Sequence, residues 1–125
     1  MPKDPDDLQG LRILVVEDSV LVADTICDLL AEHRCQVVGP AGNLERGWKL
    51  AREEALDGAV LDVNLAGVLS FPIAGTLSER GIPFLFLTGY DDISVMPPEF
   101  RAVQRVTKPF DFADIIVKVG GFRRR

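Results

Sequence analysis

Five polar side chains that together could handle a divalent cation and a phosphoryl group stand at the ends of apolar stretches. Glu17 and Asp18 follow the run LRILVV, and Asp62 interrupts the run GAVLDV. Thr88 ends the run PFLFLT, and Lys108 follows the run AVQRVT. A carboxylate inside an apolar stretch is costly unless a positive charge compensates it, so the pattern indicates a site rather than five unrelated residues.

The chemistry of this set is that of phosphoryl transfer to a carboxylate. Three neighbouring acids would repel one another unless a cation lay between them, and oxygen-only ligands favour Mg²⁺, with Mn²⁺ as a substitute. Lys108 and Thr88 suit phosphoryl oxygens, and Asp62 would be the nucleophile that forms a labile acyl phosphate. Taken singly, Asp18 or Ser19 could only cap a helix and Lys108 could be a solvated loop residue. The convergence of all five favours the functional interpretation.

The elements that must position these residues alternate between strand and helix patterns along the chain. Such alternation is typical of a parallel sheet covered by helices on both faces, in which the carboxyl ends of the strands meet at one edge. Pro97 and Pro98 limit any helix between the fourth and fifth strands. The predicted strands span 11–16, 35–39, 58–63, 83–88 and 102–107, and the predicted helices follow the cap Ser19, run from the cap Asn43 through Glu54, end at Arg80 before Gly81, and span 111–119.

Length and composition restrict the class of protein. The 125 residues fit one globular domain, and the net charge of −5 with a pI near 4.8 disfavours a nucleic-acid or membrane surface. The chain has no apolar run long enough to span a bilayer and no signal-like start, which predicts a cytoplasmic protein. We predict a disordered leader over 1–10, a folded domain over 11–119 and a basic tail over 120–125, whose triplet Arg123–Arg125 is expected to be solvated.

Four further residues that could do chemistry are expected to be structural. Cys27 and Cys35 have no metal-binding spacing and are predicted to be reduced core or near-core residues. His33 is interpreted as an incidental helix-end residue, since no nucleophile motif accompanies it. Trp48 is predicted to be a core anchor of its helix rather than a surface for ligand stacking.

Four short motifs in order make the chain resemble the receiver domain of two-component response regulators. They are VVEDS at 15–19, LDVN at 61–64, LTG at 87–89 and TKPF at 107–110, and the resemblance covers about 11–119. It implies an α/β, flavodoxin-like (CheY-like) doubly wound fold whose five-stranded parallel sheet has the order 2-1-3-4-5. It also implies a domain that catalyses only its own phosphorylation and dephosphorylation.

The resemblance assigns roles to individual positions. Glu17, Asp18, Asp62 and the backbone carbonyl of Asn64 match the Mg²⁺ ligands, and Asp62 matches the phosphorylated residue. Thr88 and Lys108 match the conserved hydroxyl and lysine, and the peptide bond from Lys108 to Pro109 is expected to be cis.

A finer similarity concerns the segment PFLFLTGY at 83–90. It resembles the signature of single-domain receivers associated with HWE-type histidine kinases and departs from it at Leu87. The usual aromatic switch position holds Arg105, so Tyr90 is a candidate substitute, although it could equally be a simple rim residue. By the same analogy the signalling face would include the segment 91–100, as an element that orders on phosphorylation, with Met96, Phe100 and Arg105 exposed.

These features predict a stand-alone phospho-receiver that accepts its phosphoryl group from a histidine kinase or a phosphotransfer protein and acts through protein contacts. A piece of a longer regulator would look the same. A pseudo-receiver that is never phosphorylated is one alternative. A Mg²⁺-dependent aspartyl phosphatase of the haloacid dehalogenase kind is another, but it would need a second acid where Asn64 stands. Flavin binding would require a Ser/Thr/Gly-rich loop after the first strand, where the chain reads EDSVLV.

Overall fold

A computed structural model of the protein describes residues 8–124. Seven strands and four α-helices are found in this range, together with short 3₁₀ segments at Tyr90–Val95, Pro98–Phe100 and Gly121–Arg124. The strands are β1 Arg12–Val16, β2 Gln36–Ala41, β3 Gly58–Asp62, β4 Asn64–Leu65, β5 Val68–Leu69, β6 Phe84–Thr88 and β7 Arg105–Thr107. The helices are α1 Val20–Glu32, α2 Leu44–Glu53, α3 Phe71–Glu79 and α4 Phe112–Gly120.

Five of the strands form one parallel sheet in the order β2-β1-β3-β6-β7. Counting only these five strands along the chain, the order is 2-1-3-4-5, so the predicted flavodoxin-like fold is confirmed. Strands β4 and β5 form a separate antiparallel hairpin between β3 and α3, where the sequence predicted no strand. Its turn residues Ala66 and Gly67 have φ angles of +52° and +93°.

The sheet separates two hydrophobic layers because alternate strand residues point to opposite faces. Leu14, Leu61 and Phe86 face a layer completed by residues of α2 and α3. Val15, Val60 and Leu85 face a second layer completed by residues of α1 and α4. Burial on both faces explains why β1, β3 and β6 are almost continuously apolar and why a polar group among them must be compensated.

The predicted helix boundaries agree with the structure. The side chains of Ser19, Asn43 and Asp111 accept hydrogen bonds from the first turns of α1, α2 and α4, as N-caps do. Helix α3 carries Pro72 in its first turn and is followed by Gly81 with a φ of +70°. These caps fix where each helix leaves the sheet edge that carries the polar residues.

Two strand boundaries differ from the prediction by more than one residue. Strand β2 continues through the cis Gly39–Pro40 bond to Ala41, and the register slips beside β1 at this point. Proline ends a strand only where its missing N–H would be needed for a hydrogen bond between strands. Here the shift in register between β1 and β2 accommodates Pro40. Strand β7 begins at Arg105, because residues 101–103 form a turn in which the Val103 N–H bonds to the Phe100 carbonyl.

Trp48 is not the core anchor that the helical pattern suggested, since 38% of it is exposed. Its indole Nε1 donates to Thr76 Oγ1 of α3 at 2.8 Å, and the Arg52 guanidinium lies 5.0 Å from its ring centroid. The small residues Gly47 and Ala51 instead face the core, and a Cβ on Gly47 would come within 2.8 Å of Ile73. This close approach of α2 leaves the indole at the rim.

Met96 and Phe100 are buried rather than exposed, being 3% and 7% accessible, whereas Arg105 is exposed as expected. The Phe100 ring lies 5.9 Å from those of Phe71 and Phe86, within an aromatic cluster over the sheet. The prediction of an exposed Met96 and Phe100 was wrong because both side chains fasten the 3₁₀ segments to the core.

One apolar residue of the predicted leader and one of the predicted tail are buried in the folded domain. Leu8 is fully buried, and its N–H donates to the His33 carbonyl at 3.1 Å; residues 1–7 lie outside the described range. Phe122 is only 6% exposed and packs on Gly58, where a Cβ would overlap the ring. Both side chains extend the hydrophobic layer between the sheet and the helices α1 and α4.

Cys35, Cys27 and His33 occupy the predicted core, near-core and helix-end positions. Cys27 is half-buried and Cys35 is buried, and neither forms a disulfide bond within residues 8–124. His33 is the C-cap of α1, where its Nδ1 lies 2.9 Å from the Leu29 carbonyl oxygen. In the range 8–124, none of the helices combines the length and the apolar character needed to cross a membrane.

Candidate functional site

A cluster of three carboxylates lies at the carboxyl ends of β1 and β3. Val16 and Leu61 are register partners in adjacent strands, so Glu17 and Asp62, which follow them, come side by side. One carboxylate oxygen from each of Glu17, Asp18 and Asp62 lies within 4.8 Å of the others. Glu17 and Asp62 are 2% and 1% exposed, and Asp18 is the most accessible of the three. The three acids singled out in the sequence are therefore brought together.

Two oxygens of this cluster have no hydrogen-bond donor among residues 8–124. Asp62 Oδ1 accepts from the Asn64 N–H at 3.2 Å, and Glu17 Oε1 accepts from the Ser19 N–H at 3.4 Å. Asp62 Oδ2 and Glu17 Oε2 are buried without a partner. Two carboxylates cannot bond to each other unless they share a proton, and a cation satisfies both oxygens instead. The all-oxygen donor set fits a hard divalent cation such as Mg²⁺.

The environment of Asp62 disfavours its charge when no cation is bound. Burial, followed by hydrogen bonding and repulsion from the Glu17 carboxyl, raises the pKa of Asp62 from its ordinary 3.8 to about 8. The positive charge of Lys108 and the Asn64 N–H act in the opposite direction, without overcoming the first effects. A bound divalent cation would favour the ionised form and restore a nucleophilic carboxylate at neutral pH.

Thr88 and Lys108 reach the same edge from the ends of β6 and β7. Thr88 is fully buried, and its Oγ1 lies 3.2 Å from Thr107 Oγ1. The Lys108 N–H donates to the Thr88 carbonyl at 2.8 Å, and the peptide bond from Lys108 to Pro109 is cis. The Lys108 side chain is exposed, and its amine lies 5.7 Å from the Phe110 ring centroid.

Asn64 is tied to the acid cluster and to the hairpin at once. Its N–H bonds to Asp62, and its Oδ1 accepts from the Gly67 N–H at 2.6 Å. The side chain is thus occupied in closing the hairpin. A role of Asn64 in metal binding would therefore involve its backbone carbonyl, as the resemblance implies.

The switch candidates Tyr90 and Arg105 are both solvent-exposed, and 87% of Tyr90 is accessible. Neither side chain packs into the acid cluster. The preceding Gly89 N–H donates to Asp92 Oδ2 at 2.6 Å, which fixes the start of the 3₁₀ segment Tyr90–Val95 directly after Thr88.

Sequence reasoning missed Thr107, the residue that contacts the Thr88 hydroxyl. Thr107 and Thr88 are register partners in β7 and β6, so their side chains emerge on the same face. Counting back one residue from Lys108 would have identified it, because Lys108 already marks the end of that strand.

Comparison with known families gives a match over nearly the whole chain. Residues 13–120 match the family model described as the response regulator receiver domain. "Sensory transduction protein LytT" of Bacillus subtilis strain 168 is 33% identical over 104 residues, which cover 81% of this chain and 43% of LytT. "Heme response regulator HssR" of Staphylococcus aureus strain RF122 is 30% identical over 119 residues, covering 92% and 52%. The chain spans about half the length of the curated relatives it matches.

Among solved structures, the solution structure of SdrG from Sphingomonas melonis Fr1 superposes on this chain with a TM-score of 0.73. The two sequences are 30% identical, and the alignment covers 91% of this chain and 97% of the SdrG chain. The likeness therefore extends over most of both chains.

Proposed function

This chain belongs to the response regulator receiver domain family, and from that premise we propose that it accepts a phosphoryl group on Asp62 and signals in the phosphorylated state. One observation carries the proposal. The buried Asp62 carboxylate shares its sheet edge with two further acids, with the Thr88 hydroxyl and with Lys108, and one of its oxygens has no hydrogen-bond partner in the part of the chain that the structure describes. A structural acid would be expected to have all its oxygens satisfied.

In the proposed reaction an Asp62 oxygen attacks the phosphorus of a phosphohistidine. The new O–P bond forms as the N–P bond breaks, and the imidazole nitrogen keeps the electron pair and is protonated by solvent. The Lys108 amine and the Thr88 hydroxyl bind oxygens of the transferred group. Water attack on the same phosphorus releases phosphate and restores the Asp62 carboxylate.

The carboxylates of Glu17, Asp18 and Asp62 are proposed to hold Mg²⁺ or Mn²⁺, with the Asn64 carbonyl as a further ligand. When bound, the ion supplies charge neutralisation for the phosphoryl group and for the acids. The unpartnered oxygens of Glu17 and Asp62 are the feature of this chain that supports the assignment.

The phosphodonor is proposed to be a histidine kinase, of the HWE type on the resemblance of the segment PFLFLTGY, or a phosphotransfer protein. We propose a cytoplasmic location, where such donors present their phosphohistidine. The output would be a protein–protein contact, since the acidic surface does not suit nucleic acid or membrane. The names of the relatives, a sensory transduction protein and a heme response regulator, support a signalling role rather than metabolic turnover.

Intact-mass spectrometry after incubation with acetyl phosphate and Mg²⁺ tests the proposal. Wild type should gain one phosphoryl group, about 80 Da, because a single carboxylate acts as the nucleophile. Asp62→Asn should gain nothing, and EDTA should abolish the gain. The matched control Asp28→Asn changes an exposed acid on α1 and should be phosphorylated like wild type.

Beryllofluoride, a stable phosphoryl mimic, is titrated in parallel so that a short-lived adduct is not missed. Folded wild-type protein that forms neither an adduct nor a beryllofluoride complex would instead be an interaction module of the pseudo-receiver kind. A phosphatase role is disfavoured because the Asn64 amide, which stands where a second acid would be needed, is bonded to Gly67.

A further inference from the structure

Thr107 lies between two members of the proposed phosphoryl site. Its side-chain oxygen is 3.2 Å from Thr88 Oγ1, and its peptide carbon is bonded to the nitrogen of Lys108. We propose that Thr107 is a positioning residue that donates its hydroxyl hydrogen to Thr88 and thereby directs the Thr88 hydrogen toward the phosphoryl group. The inference rests on the proposed function and adds a residue to it.

The hydrogens and lone pairs of the two hydroxyl groups determine which threonine donates. A threonine hydroxyl has one hydrogen to donate and two lone pairs to accept with. In the unphosphorylated protein either threonine can be the donor in the pair. Once Thr88 gives its hydrogen to a phosphoryl oxygen, it can keep its bond to Thr107 only as the acceptor. Thr107 must then donate, and the two bonds polarise each other in the same direction.

The backbone holds the two threonines in register for this task. Thr88 and Thr107 are Cα partners at the ends of the parallel strands β6 and β7. The Lys108 N–H bonds to the Thr88 carbonyl at 2.8 Å, so main-chain and side-chain bonds join the same two positions. A β-branched side chain has few χ1 choices, which limits the directions open to the Thr107 hydroxyl.

The two threonines differ in burial, and this difference sets how much the Thr107 hydroxyl should contribute to phosphoryl binding. Thr88 is fully buried, whereas Thr107 is exposed to solvent. Water reaching the edge could take over the bond if Thr107 lost its hydroxyl, but water has no fixed orientation. Loss of the Thr107 hydroxyl should therefore weaken phosphoryl binding moderately and should leave folding unchanged.

The test measures beryllofluoride affinity in the presence of Mg²⁺ by ¹⁹F NMR for a set of variants. Thr107→Val keeps the shape of the side chain and removes the hydroxyl, and it should bind about 3- to 10-fold more weakly, as expected for one neutral hydrogen bond. Thr107→Ser should return the affinity to the wild-type value. The control Thr25→Val removes an exposed hydroxyl that bonds to the Leu21 carbonyl within α1, and it should not change the affinity.

A double-mutant cycle separates positioning from a direct or purely structural role. If Thr107 acts through Thr88, then adding Thr107→Val to Thr88→Val should cause no further loss of beryllofluoride affinity. An equal loss in both backgrounds, or unchanged or tighter binding by Thr107→Val alone, would overturn the inference. Wild-type protein that binds no beryllofluoride would instead refute the proposed function, so the two failures are distinguishable.

Discussion

Replacing Asp62 by asparagine should stabilise the metal-free protein, and the gain should grow with pH. The pKa of Asp62 is raised from 3.8 to about 8 by burial and by Glu17, so between these values the folded protein binds a proton that the unfolded chain does not. Raising the pH over this window therefore lowers the free energy of unfolding of wild type. Asp62→Asn carries no such proton and is free of this dependence.

The size of the effect follows from the width of the window. One proton taken up on folding changes the free energy of unfolding by about 1.4 kcal/mol per pH unit. From pH 5 to pH 7 the stability advantage of Asp62→Asn over wild type should grow by about 3 kcal/mol at most. Groups that titrate alike in both proteins cancel in the difference. Mg²⁺ should remove the growth, because it binds the ionised acids of the folded wild type.

Urea unfolding followed by circular dichroism at pH 5, 6 and 7, in EDTA and again in Mg²⁺, measures this difference. Asp28→Asn serves as the matched control, since it neutralises an exposed carboxyl on α1 and should follow wild type. Parallel stability curves for wild type and Asp62→Asn in EDTA would refute the reasoning. So would a stability difference that persists unchanged in Mg²⁺.

Two further predictions concern the residues that fasten the ends of the domain. Leu8→Ala should lower the free energy of unfolding by about 2–5 kcal/mol, because it removes a fully buried leucine side chain from the core. The control Leu21→Ala changes a side chain that is 77% exposed on α1 and should alter the free energy of unfolding by less than about 0.5 kcal/mol. Urea titration of both variants measures the difference. Gly58→Ala should cost about 1–3 kcal/mol because the new methyl group overlaps the Phe122 ring. Phe122→Leu in the same chain should recover part of that loss, and strictly additive costs in thermal melts would contradict the overlap.

Most of the fold and the acid cluster could be predicted because they depend on features that sequence expresses directly. Apolar runs such as 58–63 are long enough to indicate buried strands, and alternation with helices dictates a parallel sheet. Parallel strands deliver whatever follows them to one edge, so Glu17 and Asp62 had to become neighbours. The starts of the helices could also be predicted, because an N-cap such as Asn43 can be recognised from the local sequence.

The errors arose where no periodicity exists or where a small residue carries the contact. Trp48 was assigned to the core because the spacing of apolar residues does not identify Gly47 as a contact residue. Gly47 lacks a side chain and therefore allows α2 to approach the sheet closely. Phe100 lies in a short 3₁₀ segment without a helical repeat to orient it. The hairpin was hidden because its two-residue turn begins with Ala66 at positive φ, where glycine or asparagine would have been the usual signal.

The residues of the candidate site follow strands that differ in how well they are held in the sheet. The free energy of local unfolding should therefore differ between these strands. Glu17 and Asp62 follow β1 and β3, which have hydrogen-bonded strands on either side and hydrophobic layers on both faces. Lys108 follows β7, a three-residue strand that, within residues 8–124, pairs on one side only, with β6. Amide hydrogen exchange should therefore be slow in β1 and β3, which precede the acids, and fast in β7, which precedes Lys108. Local opening of β7 would withdraw the positive charge from the edge while the carboxylates stay in place.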